Sequence, residues 1–71
     1  MNGHLSWNHH RLVNEHGLAV GRIRKTNSGK WKAVLFKAPT ARQFGDYKTS
    51  LTLSDKQEAK AWLIATHRLL G

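Results

Sequence analysis

The chain has 71 residues, with 12 Lys and Arg against 4 Asp and Glu, a formal charge of +8 at pH 7. That length makes one small domain around one core; the absence of cysteine excludes a disulfide or zinc–thiolate staple, and no window approaches the ~20 apolar residues of a membrane span. Between Arg22 and Lys48 the bases are Arg22, Arg24, Lys25, Lys30, Lys32, Lys37, Arg42 and Lys48, with Asp46 the only acid. Such a block repels itself and points to a polyanion, nucleic acid first.

Met1 to Gly3 reads as a loose end. His4 to Val13 makes a poor helical stripe, because Leu5, Trp7, Leu12 and Val13 do not share one face and Asn8 and the histidines are weak helix formers. The better reading is a strand or an extended arm, with Asn14-Glu15-His16-Gly17 as a tight connection to Leu18. Residues 1–17 are therefore an N-terminal arm or extra strand, and residues 18–71 the domain proper.

Leu18 to Lys25 is the next predicted strand, and Thr26-Asn27-Ser28-Gly29 turns it into Lys30 to Lys37. Side chains alternate along a strand. Ile23, Trp31, Ala33 and Leu35 then share an inward face, with Gly21 on it to admit a neighbouring backbone. Arg22, Arg24, Lys32, Val34 and Phe36 share the outward face. Ala38-Pro39-Thr40 ends this strand, and Ala41 to Asp46 is a polar loop. Tyr47 to Leu53 alternates again, with Tyr47, Thr49, Leu51 and Leu53 inward and Lys48, Ser50 and Thr52 outward. Ser54 with Gln57 three residues on matches a capping box. The helix it opens runs to about Leu70, with Gly71 ending the chain, and Ala59, Trp62, Leu63, Thr66, Leu69 and Leu70 form its stripe. The expected fold is α+β: a small three- to four-stranded antiparallel sheet packed against one C-terminal helix.

Gly21-Arg22-Ile23-Arg24, Gly29-Lys30-Trp31-Lys32-Ala33-Val34-Leu35, Gly45-Asp46-Tyr47 and Glu58-Ala59-Lys60-Ala61-Trp62 resemble two related groups of domains. One is the N-terminal arm-binding domain of phage and transposon tyrosine integrases. The other is the plant apetala-type (ethylene-response) DNA-binding domain. The resemblance covers roughly residues 18–70. It implies a three-stranded sheet backed by a helix and laid in the DNA major groove. On it, Arg22 and Arg24 match first-strand arginines that contact bases and phosphates, and Lys32, Val34 and Phe36 match second-strand outward positions. The plant pattern has an acid at the place of Val34, an arginine at the place of Phe36, and a third-strand tryptophan for which Phe44 is the one substitute. Base preference does not transfer across those departures.

The physics of the outward face leads the same way. A β-ribbon fits the major groove, arginine pairs with guanine O6 and N7, and Val34 and Phe36 could meet thymine methyls. Lys25, Lys30, Lys37 and Lys48 lie near turns and strand ends, placed to grip phosphates. The expected DNA-binding set is Arg22, Arg24, Lys25, Lys30, Lys32, Val34, Phe36, Lys48 and Ser50. The expected function is a non-catalytic double-stranded DNA-binding domain, an accessory or regulatory protein of phage or mobile-element type. It needs no cofactor, metal, membrane or small-molecule substrate. With no apolar leader at the N-terminus, the expected compartment is the cytoplasm of a bacterial or phage-infected cell, at the nucleoid, or the nucleus in a eukaryote.

Four other readings compete. His4, His9, His10, His16 and His67 invite a metal, but adjacent His9 and His10 point to opposite faces of a strand. The Asn8-His9-His10 run suggests an HNH-type nuclease, yet about 16 residues cannot hold that hairpin, helix and metal. A double-stranded RNA-binding domain requires residues 5–14 to be a helix and places binding on the helices. A protein-interaction module, such as a phage-type inhibitor of a host factor, would use Val20, Val34 and Phe36 as an exposed apolar patch rimmed by charge.

Overall fold

A computed structural model describes residues 4–42 and 45–70. The loose end at residues 1–3, Phe44 as a tryptophan substitute and the terminal Gly71 lie outside the described residues. The elements are β1 (Ser6–Asn8), β2 (Arg11–Val13), β3 (Ala19–Lys25), β4 (Trp31–Thr40), β5 (Tyr47–Leu53) and α1 (Lys56–Leu70). The strands form one antiparallel sheet in sequence order, β1-β2-β3-β4-β5, with α1 across one face. The fold is α+β, with five strands where three to four were expected.

The difference lies before Leu18. Residues 6–13 form a hairpin, not one strand, closed by His9-His10 with Asn8 opposite Arg11. His9 takes a left-handed backbone at φ 58°, which histidine tolerates better than most residues. No Asn-Gly or Asp-Gly marks this turn, so nothing in the sequence announced it. The requirement of the RNA-binding reading, a helix over residues 5–14, is not met.

The other turns follow their chemistry. Asn14 Oδ1 accepts from the amides of His16 and Leu18 at 2.9 and 3.0 Å, and Gly17 supplies φ 78°. Between β3 and β4 the Gly29 amide donates to the Thr26 carbonyl at 3.0 Å. Thr26 Oγ1 accepts from the Lys30 amide at 3.1 Å, and Gly29 takes φ 84°. β4 runs on to Thr40, past the expected stop. Pro39 falls in the irregular stretch between Leu35 opposite Gly21 and Thr40 opposite Ala19, where the ladder to β3 needs no donor.

The core is Leu12, Val20, Ile23, Ala33 and Leu35 from the sheet with Ala59 and Leu63 from α1. A Cβ on Gly21 would stand 2.5 Å from the Val34 carbonyl oxygen and 2.8 Å from Leu63 Cδ1. The missing side chain is what lets α1 settle against β3. The helix starts one residue later than a Ser54 cap implies: Lys56 is its first residue, and Ser54 Oγ donates to Glu58 Oε1 at 3.2 Å. Trp7, Trp31 and Trp62 pack half-buried at the core margin. Leu69, at 83% exposed, and Leu70 lie beyond the covered stripe.

Candidate nucleic-acid interface

The face of the sheet opposite α1 carries the residues of interest. Cross-strand partners share a face, so register assigns each side chain without reference to rotamers. One row across the sheet is Asn8, Arg11, Arg22, Val34 and Ser50. The next is Arg24, Lys32 and Thr52. Both lie outward, alternating with the core rows that hold Leu12, Ile23, Ala33 and Leu35.

These rows place two pairs of like charges directly opposite each other: Arg11 with Arg22, and Arg24 with Lys32. The four make a compact cationic block. Arg24 is exposed and makes no hydrogen bond or ion pair among the described residues. Lys32 is half-buried, its Nζ 5.7 Å from the centre of the Tyr47 ring. Arg11 was missed from sequence. Its place beside Arg22 depends on the β1–β2 hairpin, which had no turn signature. Its side chain crosses to the β4–β5 connection, where one terminal nitrogen donates to the Arg42 carbonyl. Its Nε is buried with no partner among the described residues.

Several expected contacts are corrected. Val34 and Phe36 do lie on the outward side, but they are 1% and 4% exposed and form a second small cluster with Ala19. The reason is the β4–β5 connection, which folds back over this end. A Cβ on Gly45 would be 3.3 Å from Phe36, and Tyr47 stacks on Phe36 with ring centres 6.4 Å apart. Neither Val34 nor Phe36 can meet a thymine methyl. Val20 is buried too, drawn into the main core by the irregularity between Ala19 and Gly21, so the expected patch of Val20, Val34 and Phe36 is not on the surface.

The register shift in β5 has a further effect. Leu35 pairs with Thr49 and Phe36 with Tyr47, which leaves Lys48 as the extra residue. A bulge turns the side chains that follow. Tyr47, expected inward, is therefore on the outward side. Lys48, expected outward, donates from Nζ to the Leu70 carbonyl at 3.0 Å, at the end of α1. It is not part of the cationic face. Leu51, expected in the core, faces the helix side but stands on the edge strand at 45% exposed.

Of the remaining expected residues, Ser50 and Lys30 lie where the reading placed them and Lys25 does not. Ser50 is exposed beside Val34. Lys30 is exposed in the β3–β4 turn. Lys25 pairs with Trp31 and so ends β3 on the helix side. Comparison of the chain with protein-family models, curated proteins and solved structures finds no match in any of the three. Its function must be argued from this geometry. Among the described residues no three His, Cys, Asp or Glu side chains gather as a metal site, and no helix is long and apolar enough to cross a membrane.

Proposed function

We propose that the protein is a non-catalytic double-stranded DNA-binding domain that applies the exposed cationic end of its sheet to the duplex. The observation that supports this most is the opposed pair Arg24–Lys32 on the outward face. Like charges directly opposite on neighbouring strands destabilise a sheet. A fold that keeps exposed Arg24 opposite Lys32 gives up stability that an anion would restore. Duplex DNA presents such anions in two regular rows, and a β-ribbon fits its major groove.

In this reading Arg22 and Arg24 read base edges, while Lys32 and Lys30 hold phosphates around them, and Ser50 supplies a hydroxyl at the rim. The buried cluster of Val34 and Phe36 stiffens the platform. The likeness in strand order and arginine spacing to integrase arm-binding and apetala-type domains supports the same orientation. The test is anisotropy with a labelled duplex. Arg22→Ala and Arg24→Ala each weaken a preferred site by roughly 1–3 kcal/mol and relax sequence preference, whereas Lys30→Ala weakens every duplex alike. Equal binding by both arginine variants and wild type would refute the proposal.

One observation favours a protein partner as the second reading. β5 is a seven-residue edge strand, and Tyr47 and Leu51 on it are each 45% exposed. An exposed edge is a pairing template. Binding there would leave the cationic block untouched.

A further inference from the structure

The helix side of the molecule holds a second cationic group that the sheet-face reading does not use. His10, in the β1–β2 turn, meets Trp31 edge-on with ring centres 5.3 Å apart. Lys56 Nζ lies 5.5 Å from the centre of the same Trp31 ring. Lys60, one turn further along α1, has its Nζ 4.9 Å from the centre of the Trp7 ring. The two tryptophans thus hold two ammonium groups beside an imidazole. Cation–π contact fixes the lysine stems but leaves their charge unneutralised. Neither lysine makes a hydrogen bond or ion pair among the described residues.

The placement is unfavourable for the chain alone. Lys56 is the first residue of α1, at the positive end of the helix dipole, where a cation costs stability and an anion gains it. His10 is held below the ordinary imidazole value of 6.5, first by partial desolvation and then by the charges of Lys56, His9, Lys60 and Arg22. The group offers two ammonium groups and an imidazole N–H with no carboxylate among them, so its complement is an anion with several acceptor oxygens.

We propose that Trp7, His10, Trp31, Lys56 and Lys60 form a phosphate site on the helix side of the sheet, which takes the backbone of a second nucleic-acid segment. The cationic block of Arg24 and Lys32 lies on the opposite face. A single chain then bridges two segments. The phosphate site stands without the outer-face reading; bridging requires both.

Two experiments test it. The first follows the His10 imidazole resonance against pH in inorganic phosphate and in chloride at matched ionic strength. Phosphate should move the His10 midpoint upward, and Lys56→Gln with Lys60→Gln should abolish the difference. No difference in wild type, or an equal response to acetate, overturns the phosphate site. The second asks whether protein on an immobilised duplex retains a labelled second duplex. Wild type should retain it. The lysine pair variant should lose it while its affinity for one duplex stays within about twofold. A phosphate response without retention overturns the nucleic-acid assignment. Failure of wild type to bind any duplex refutes the outer-face reading and bridging with it, while the first experiment still decides the phosphate site.

Discussion

Arg24→Thr separates a binding role from a structural one, because the two predict opposite signs for stability. Arg24 lies directly opposite Lys32, and residues so placed hold their Cβ atoms ~4.5–5.5 Å apart. With the charged heads ~7 Å apart, two unit charges repel by about 0.6 kcal/mol in water and about 2.4 kcal/mol at an effective dielectric of 20. Arg24 is exposed, so the lower figure governs. Threonine removes the repulsion and suits a strand better than most residues. The expected gain is about 0.5–1 kcal/mol, or a melting temperature higher by about 2–8 °C in a domain of this size. Duplex affinity should fall roughly 5- to 150-fold in the same variant, from about 1–3 kcal/mol per arginine contact. Urea melts and thermal scans measure the first quantity and anisotropy the second. A variant that loses stability, or gains it with affinity unchanged, refutes the argument that this charge pair is kept for an anion.

Other consequences follow from the same structure. Gly21→Ala should destabilise the fold by about 1–3 kcal/mol from overpacking, less the ~0.4–1 kcal/mol that alanine contributes through the unfolded chain; an unchanged urea midpoint would mean Leu63 does not rest on Gly21. Because the folded-state value of His10 lies below 6.5, the unfolded chain binds more protons there. Stability is fully held above that pH and falls as pH drops through the lower folded-state value; a His10→Gln variant should show a shallower acid loss, and an identical pH profile would refute the effect. With Lys30 and Lys32 as phosphate contacts, log K against log salt should have a slope of about −1.8, from −0.9 per contact; a flat salt dependence would exclude backbone contact.

What the sequence revealed, it revealed through local chemistry. The turns at Asn14–Gly17 and Thr26–Gly29 have the side-chain acceptors and glycines that fix them. The alternation from Arg22 to Leu35 survives intact because β3 and β4 keep one register there. Parity fails where the ladder slips. The shift between Leu35 and Phe36 put Tyr47 on the unexpected face and sent Lys48 to the helix end. Alternation counts residues, and a bulge adds one without a mark in composition. Val34 and Phe36 show a second limit: their face was legible, but the loop that covers them is a tertiary contact. Arg11 shows a third, since its cationic neighbour comes from a hairpin closed by His9-His10, a turn without the usual residues.

The central claim is that the duplex meets the sheet face turned away from α1. An amide NMR titration with duplex DNA tests it most directly, because each strand reports separately. Shifts concentrated at Arg22, Arg24, Lys32, Ser50 and Thr52, saturating before any change at Lys56 and Lys60, are the predicted result. Shifts confined to Tyr47–Leu53 or to the helix, with the Arg22–Arg24 amides unmoved, would contradict it.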